Sequence, residues 1–269
     1  MKKNIKNTGI IGCSGFIGSN LARYFNKKNI SYVCFNGNLL KNKDIKKFFL
    51  KKRTSCAVFL VGTFDPPFES QFKINVLTLQ NFLEIGIKYG LKKIIFSSSG
   101  AVYGEPENKE SKETDPLKPN TLYGLTKVYA EKCILYYAQN HNIQYVILRF
   151  PSVYGENNKK GVIYNFLSDI KNFGTITIAG DGNQQRNFLH VSDACKAIEE
   201  ALQYKDSDIF NISNPVKVSI NDLVRILKSR YTFSVSYKKS DNNQTKLLLN
   251  IDKAKKLLKF TPKMIQLVA

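Results

Sequence analysis

The chain has 269 residues, 43% of them hydrophobic and 23% charged, a composition typical of a globular protein with a sizeable core. Its formal net charge is +20, but the lysines that cause it are scattered, so we interpret them as a solvated surface and not as a nucleic-acid site. No apolar run reaches the roughly eighteen residues that a membrane span needs, and no signal peptide is recognisable, which predicts a cytoplasmic protein.

Strands and helices alternate along the first 150 residues. Short apolar runs predict strands over 8–11, 31–35, 57–61, 93–97 and 144–150. Amphipathic runs predict helices over 16–27, 44–52, 75–89 and 122–140. This alternation predicts an α/β fold, a Rossmann-type doubly wound parallel sheet with helices on both faces.

The first turn of this pattern is rich in glycine. Gly12, Gly15 and Gly18 lie between the first strand and the first helix, where a dinucleotide-binding turn is expected. Gly12 permits a tight turn, Gly15 lets the backbone approach a pyrophosphate, and Gly18 allows close helix–strand packing. The helix N-terminus then supplies an anion site. The spacing is G-x-x-G-x-x-G, but its position favours a nucleotide site over a purely structural turn.

After Pro151 the alternation loosens. Helices are predicted over 162–173, 191–203 and 219–228, the last capped by Ser219, and a strong turn signal covers 180–183. We expect a dinucleotide-binding domain formed by 1–151 with about 187–213. Residues 152–186 and 214–269 would form a smaller, shortened substrate-binding lobe at the carboxyl edge of the sheet, where ligands bind in open α/β folds.

The five cysteines predict neither a disulfide framework nor a zinc site. Their number is odd, they are well separated, and no Cys-x-x-Cys pair occurs. We expect reduced, free thiols. His141 and His190 lack metal-like partners, so we interpret both as structural and expect no metal.

Tyr123 and Lys127 are the most informative pair in the chain. They lie four residues apart on a predicted helix, so their side chains share one face. An ammonium close to a phenol favours the phenolate, which predicts a Tyr123 pKa below its free value and a usable general base. The spacing alone is weak evidence in a lysine-rich chain. The serine cluster at 97–99, at the end of a predicted strand, strengthens it.

Several ordered segments together resemble the extended short-chain dehydrogenase/reductases, specifically the NAD-dependent epimerase/dehydratase family of nucleotide-sugar epimerases, dehydratases and reductases. The resemblance covers nearly the whole chain. Its segments are GCSGFIGSNL at 12–21, IIFSSSGAVYGE at 94–105, Tyr123 to Lys127, LRFPSVYG at 148–155, IAGDGNQQRNFLHVSD at 178–193, FNIS at 210–213 and LLKFTP at 257–262.

The resemblance implies a catalytic trio. Ser99 would hydrogen-bond the reacting sugar oxygen, Tyr123 would move the proton, and Lys127 would bind the nicotinamide ribose. The cofactor, NAD with NADP left open, would contact Gly12, Ser14, Gly15, Phe16, Ile17, Gly18, Asn36, Asp44, Ile45, Val61, Gly62, Ser97, Tyr123, Lys127, Phe150, Ser152 and Val153. The substrate would contact Ser99, Ala101, Tyr123, Ser152 and Arg186.

Two of these roles have structural alternatives. Arg186 lies in a loop that contacts the nucleotide diphosphate in the family, a task suited to a bidentate guanidinium, but it is also compatible with a plain surface position. Ser97 and its neighbour Ser98 are equally compatible with strand-end serines that satisfy backbone groups.

Departures from the family pattern narrow the reaction. Dehydratases place Asp-Glu directly after the catalytic hydroxyl residue, and here Gly100 and Ala101 occupy those positions, which disfavours 4,6-dehydration. Asn36 stands where NAD-preferring members carry an acidic residue. Asparagine does not repel a 2′-phosphate, so NADP stays open, with Lys41 or Lys43 as a charge partner.

The adenosine side is also reduced. Asn36 is followed so soon by Asp44-Ile45, the family's adenine-contacting pair, that a helix and a strand of the usual fold are missing. The family's His-x-Ala-Ala is Phe59-Leu60-Val61-Gly62 here, and Ser152 replaces a common asparagine.

Our leading hypothesis is an NAD(P)-dependent nucleotide-sugar 4-epimerase that works through a keto-sugar intermediate, in the synthesis of surface polysaccharide sugars. The alternative is an NADPH-dependent nucleotide-4-keto-sugar reductase. A second alternative is a non-catalytic nucleotide-binding protein on the same fold. The expected partners are a nucleotide-diphosphate sugar and a second copy of the chain, paired through the helices at 75–89 and 122–140, with no nucleic acid and no membrane.

Overall fold

A six-stranded parallel sheet forms the centre of the molecule in the computed structural model, which describes residues 8–105, 110–239 and 247–263. Its strands are β1 (Thr8–Ile11), β2 (Tyr32–Cys34), β3 (Cys56–Phe59), β4 (Lys93–Ser99), β5 (Gln144–Phe150) and β10 (Asp208–Asn211). They lie in the order β10-β5-β4-β3-β1-β2, and each neighbouring pair is parallel. The predicted doubly wound sheet is therefore confirmed, and the carboxyl ends of all six strands meet at one edge.

Helices cover both faces of this sheet. They are α1 (Phe16–Lys27), α2 (Asn42–Lys52), α3 (Phe68–Phe72), α4 (Thr78–Lys88), α5 (Leu122–His141) and α7 (Val191–Gln203). Side chains of α1 and α7 fill the core on one face, and those of α2, α4 and α5 fill it on the other. The strands between them are almost continuously apolar, as expected for a sheet buried on both sides.

The helix predicted over 75–89 begins earlier than its sequence pattern suggests. It starts with α3, passes through a π-helical turn at Lys73–Leu77 and continues as α4. Asn75 lies in this turn and is fully buried. Its side-chain amide forms hydrogen bonds with a neighbouring loop and with α5. A π-helical turn of this kind is frequent beside functional sites.

A second, smaller core lies beside the carboxyl edge of the sheet. It is built from β6 (Ser152–Tyr154), α6 (Val162–Phe173), β7 (Thr175–Ala179), β8 (Gln185–Arg186), β9 (Phe188–His190), β11 (Val218–Ser219), α8 (Ile220–Lys228) and β12 (Ser234–Lys238). The capping prediction is confirmed, since Ser219 and Asp222 form a capping box at the start of α8. The pair β7–β12 was not predicted, because such short, half-exposed strands have little pattern of their own.

Cys13 and Cys34 form a disulfide, so the prediction of free thiols is wrong for these two residues. The cause is tertiary. β1 and β2 are neighbours with Ile10 opposite Cys34, which brings the residues just after β1 close to the end of β2. The two Cα atoms are 5.8 Å apart, a distance that suits a disulfide. Cys56, Cys133 and Cys195 are free, as predicted.

The described residues contain no helix that is both long and apolar enough to cross a membrane. In the same ranges the sheet ends at β2, which has no further strand on its outer side. The resemblance to the family predicts that a helix and a strand of the usual fold are missing between Asn36 and Asp44. The short connection between these two residues agrees with that prediction.

Candidate functional site

A cavity of about 630 Å³ lies at the carboxyl edge of the sheet. This is the edge at which parallel α/β folds bind their ligands. Twelve predicted site residues line the cavity: Ser14, Gly15, Phe16, Ile17, Gly18, Gly62, Ser97, Ser99, Tyr123, Lys127, Phe150 and Val153. The glycine loop and the Ser99–Tyr123–Lys127 trio, far apart in the sequence, therefore face one common space.

The glycine loop forms one end of the cavity. Gly12 has a positive φ of 98°, and its carbonyl accepts the N–H of Gly15 at 3.0 Å. A Cβ added at Gly18 would lie 2.0 Å from the Gly12 carbonyl oxygen, so a side chain at this position would force the loop and α1 apart. Among the described residues no side chain caps the start of α1, so its first N–H groups remain available to bind an anion. The loop thus fits the diphosphate of a dinucleotide.

Ser99 and Tyr123 line another part of the cavity, and their hydroxyl groups are close enough for Ser99 to influence the pKa of Tyr123. Ser99 is the last residue of β4, and Tyr123 lies in the first turn of α5. Thr121 caps that helix by accepting the N–H of Gly124 at 3.0 Å. A Cβ at Gly124 would lie 2.4 Å from a backbone oxygen of the segment after β4. Only a glycine therefore lets α5 come this close to the end of β4.

The electrostatics of Tyr123 and Lys127 differ from the sequence prediction. Burial raises the pKa of Tyr123 to about 12, although the nearby Ser99 hydroxyl opposes the rise. Burial also lowers the pKa of Lys127 to about 8, and the charge of Glu131 opposes that fall. The Lys127 ammonium donates to the carbonyl oxygen of Ser97 at 2.9 Å and lies 5.8 Å from the Tyr123 ring centroid. The predicted lowering of the Tyr123 pKa is therefore wrong here, because burial disfavours the phenolate and Lys127 is not among the groups that lower this pKa.

Asn75 belongs to this site, although it was not predicted. Its Oδ1 accepts the N–H of Thr63 at 2.7 Å, and its Nδ2 donates to the Thr63 carbonyl and to Thr126 Oγ1, both at 2.8 Å. Asn75 thereby ties the loop after β3 to α5, next to Lys127. A polar residue within a mainly apolar helical pattern was the signal that could have identified it.

Two loops meet across the mouth of the cavity near Tyr123. Lys160 forms an ion pair with Asp65 at 2.5 Å, and its ammonium lies 4.8 Å from the ring centroid of Phe64. Phe64 in turn makes an edge contact with Tyr123, with centroids 6.0 Å apart. Both charges are about half exposed, so the pair encloses the cavity without sealing it.

The predicted adenosine contacts Asn36, Asp44 and Ile45 do not line the main cavity. Asn36 and Asp44 lie instead beside a second pocket of about 220 Å³, whose cations are Lys47, Lys51 and Lys52. The predicted charge partners Lys41 and Lys43 do not line it. The Asp44 carboxylate accepts the N–H of Asn38 at 2.9 Å, which stabilises the turn after β2.

Other predicted residues also lie outside the lining of the main cavity. Ile45 is fully buried in the core, and Gly12 packs against Val61 underneath the glycine loop. Ala101 and Ser152 are half-buried and are not among the residues that line the cavity. The structure therefore does not bring these side chains to the cavity surface.

Arg186 lies in β8, away from the main cavity, and is half-buried. Burial lowers its pKa. Its Nε is buried without a hydrogen-bond partner among the described residues, as is Oε1 of Gln184 nearby in the sequence. An unpaired guanidinium N–H of this kind is suited to an anionic ligand.

Both histidines have partners of an ordinary structural kind. The His190 ring accepts the N–H of Ser192 and so caps α7, and the His141 ring stacks on Tyr137. Over the described ranges, no group of three or more His, Cys, Asp or Glu side chains could hold a metal ion.

Comparison with known proteins gives consistent matches. The sequence model of the NAD-dependent epimerase/dehydratase family matches residues 9–213. A putative UDP-glucose 4-epimerase of Methanocaldococcus jannaschii is 38% identical over 192 residues, 68% of this chain and 63% of that protein. The dTDP-4-dehydro-6-deoxyglucose reductase of Escherichia coli is 31% identical over 77% of this chain and 68% of its own length. The chain thus spans about two thirds of the length of these curated relatives.

A solved structure agrees over most of the chain. The UDP-glucose 4-epimerase of Thermotoga maritima, crystallised with UDP-glucose, superposes with a TM-score of 0.89 at 25% identity. The match covers 96% of this chain and 94% of that one. The sheet, the helices on both faces and the smaller second core therefore share one architecture with it.

Proposed function

Because the chain belongs to the NAD-dependent epimerase/dehydratase family, we propose that it is a nucleotide-sugar 4-epimerase that works with bound NAD. One observation carries the proposal: the Ser99 and Tyr123 hydroxyls and the Lys127 ammonium converge in the cavity that begins at the glycine loop. A proton-transfer group and a diphosphate site within one cavity are what a dinucleotide-dependent reaction at a sugar hydroxyl requires.

The residues present are suited to the cofactor. The glycine loop and the start of α1 would hold the diphosphate, and Lys127 would hold the ribose next to the nicotinamide. NAD, when bound, supplies the hydride acceptor and donor for the sugar carbon. Arg186, with its unpaired N–H, would hold the diphosphate of the sugar nucleotide on the side of the second core.

Tyr123 and Ser99 would handle the proton of the sugar hydroxyl. Ser99 would donate a hydrogen bond to the reacting oxygen, and Tyr123 would take its proton and later return it. The pKa of Lys127 is about 8, so the Tyr123–Lys127 pair loses one proton between neutral and mildly alkaline pH. The phenolate–ammonium form of the pair differs from its phenol–amine form only by an internal proton transfer.

The surroundings of Gly100 argue against a dehydratase. A Cβ at this position would lie 2.9 Å from Leu247 Cδ1 and 3.2 Å from Leu249 Cδ2. A carboxylate there would be pressed against apolar side chains, at a large desolvation cost. This supports a reaction that needs only the Ser99–Tyr123–Lys127 trio.

A second candidate, an NADPH-dependent 4-keto-sugar reductase, is favoured by the pocket beside Asn36. Its three lysines and the absence of an acidic residue at position 36 are compatible with a 2′-phosphate. The reductase of Escherichia coli among the relatives is a further reason to test it.

The deciding experiment combines mass spectrometry of the native protein with a turnover assay. We expect NAD to co-purify, and the protein to interconvert C4 epimers of a UDP- or dTDP-hexose, followed by NMR, without added reductant. Tyr123→Phe should lower the rate 10²- to 10⁴-fold, whereas Tyr129→Phe, an exposed tyrosine on the same helix, should not.

Other outcomes would identify the alternatives. Stoichiometric consumption of NADPH would overturn the epimerase in favour of the reductase. Nucleotide binding without turnover of any nucleotide sugar would support the non-catalytic alternative, and absence of any nucleotide binding would refute all three functions. If Tyr123→Phe turned over as fast as wild type, the proposed proton transfer would be refuted.

We further propose that 152–186 and 214–269 form the sugar-nucleotide lobe, and that α4 and α5 pair with those of a second copy. Tyr129 and Tyr136 on α5 are 47% and 63% exposed, more than a closed apolar core would leave. Light scattering should then give twice the monomer mass, and Tyr136→Lys should reduce it. A monomeric wild type would refute the pairing.

A further inference from the structure

A buried network of charges lies directly behind the Ser99–Tyr123–Lys127 trio. Arg149 of β5 donates from Nε and Nη2 to the two carboxylate oxygens of Glu131, at 3.0 and 2.7 Å. Ser98 donates a third hydrogen bond to the same carboxylate. Glu131 and Arg149 are 1% and 2% exposed, so water screens neither of them.

The network continues away from the cavity through Tyr103. Arg149 Nη1 donates to the Tyr103 hydroxyl at 2.6 Å, and that hydroxyl donates to Asn211 at 2.8 Å. Asn211 Nδ2 in turn donates to the carbonyl oxygen of Ser111 at 2.8 Å. All three nitrogens of the Arg149 guanidinium therefore donate hydrogen bonds, and these bonds hold Arg149 in a single orientation.

The placement of Glu131 connects this network to the reacting groups. Tyr123, Lys127 and Glu131 are spaced four residues apart on α5, so they follow one another along one face of the helix. Ser98, which bonds Glu131, directly precedes Ser99 on β4. Glu131 therefore contacts both elements that carry the trio.

We propose that Glu131, held by Arg149 and Ser98, is a positioning residue that fixes the end of β4 against α5 and sets the charge on the Tyr123–Lys127 pair. The inference rests on the proposed function and deepens it. A buried ion pair is weak evidence for stability, since apolar residues of similar size are often as stable or more so. Glu131 lies between β4 and α5, the two elements that carry the trio, and this position gives it a role other than stabilising the fold.

The arrangement of charges is specific. Because Arg149 occupies both oxygens of Glu131, the Lys127 ammonium does not pair with that carboxylate and donates to the Ser97 carbonyl instead. The buried cluster contains two cations and one anion, and its net positive charge lies beside the phenol. The charge of Glu131 offsets part of the desolvation cost of Lys127. The Arg149 guanidinium, bonded to the same carboxylate, carries the opposite charge.

The remaining charged groups around the pair are few among the described residues. Asp65 and Lys160 neutralise each other at the mouth, and Lys159 lines the cavity in the same segment. Glu113 accepts the backbone N–H of Asn211 on the far side of Tyr103. None of these lies between Glu131 and Lys127, so substitutions at Glu131 and Arg149 test the network directly.

The test measures the apparent pKa of the Tyr123–Lys127 pair in two variants, one that removes a negative charge and one that removes a positive charge. Glu131→Gln removes a negative charge, so the pH profile of kcat/KM should move to lower pH by about one pH unit. Arg149→Met removes a positive charge and frees Glu131, so the profile should move to higher pH by a similar amount. An NMR titration of 13Cε-lysine, with Lys127 assigned through Lys127→Met, should give the same directions without turnover.

A purely structural role predicts a different result, with both variants less active but with unshifted profiles. Unshifted profiles, or shifts in the same direction, would overturn the inference. Lys93→Met is the matched control, a buried lysine at the opposite end of β4, and should leave the profile where it is. If the wild type shows no turnover, the proposed function fails, whereas the NMR titration still decides the role of Glu131.

Ser98→Ala keeps the proposal testable if either charge variant does not fold. It retains all three charges and removes only one hydrogen bond to Glu131. We expect about a fivefold lower kcat with an unchanged KM, because the loss of one hydrogen bond loosens the end of β4. An unchanged kcat would overturn the positioning role.

Discussion

Replacement of Lys127 by methionine should make the protein more stable at neutral pH while it removes activity. Lys127 is 3% exposed, and burial lowers its pKa from 10.5 to about 8. Each pKa unit corresponds to about 1.4 kcal/mol, so the charged form destabilises the folded state by about 3 kcal/mol below pH 8. Methionine has a similar length and no charge to desolvate.

Part of this gain is lost with the contacts that the ammonium makes. Its hydrogen bond to the Ser97 carbonyl contributes about 1 kcal/mol, and a methionine sulfur can replace its contact with the Phe96 ring. The net expectation at pH 7 is a variant about 2 kcal/mol more stable than wild type. Between pH 8 and 10.5 the unfolded wild type holds more protons than the folded protein, so wild-type stability rises with pH in that window. Above pH 10.5, the variant should be less stable than wild type by about 1 kcal/mol.

Urea unfolding of both proteins at pH 7 and at pH 10.5 measures the difference. The subtraction isolates Lys127, because all other titrating groups are common to the two chains. A variant that is less stable than wild type at pH 7 would refute the reasoning. So would a stability difference that does not change with pH.

Three further predictions concern the surrounding structure. Gly18→Ala should abolish nucleotide binding in calorimetry, because its Cβ would lie 2.0 Å from the Gly12 carbonyl oxygen; binding at wild-type affinity would contradict this. Cys34→Ala should lower the free energy of unfolding by about 3 kcal/mol in the absence of reductant, the loop-closure value for a separation of 21 residues, and an excess of dithiothreitol should remove the difference from wild type. Lys93→Met should lower the urea midpoint by the equivalent of about 1–3 kcal/mol, because Lys93 donates to three carbonyls at the end of α7; an unchanged midpoint would show that water replaces it.

Features set by local sequence were predictable. The glycine loop was recognisable because its three glycines, the strand before it and the helix after it lie within twenty residues. The pairing of Tyr123 with Lys127 on one helix face follows from the spacing alone. The parallel sheet followed from the alternation of apolar and amphipathic runs, which does not depend on the remaining contacts.

Features set by burial and by tertiary neighbours were not predictable in the same way. The Cys13–Cys34 disulfide depends on β2 lying next to β1. The sign of the Tyr123 pKa shift is set by the burial of the phenol, and the sequence shows the nearby lysine but not the burial. Asn75 could have been suspected as a polar residue in an apolar pattern, but its partners lie in other elements.

Three charged side chains are buried at this site, although charges are costly to bury. Lys127, Glu131 and Arg149 are each at most 3% exposed, and all three lie at the carboxyl end of β4 and β5 or on the face of α5 that covers it. Apolar residues would fill these positions at lower cost, as the Lys127→Met prediction states for one of them. The stability lost there is the consequence of keeping an ammonium beside a phenol in a site shielded from water, where its field is strongest.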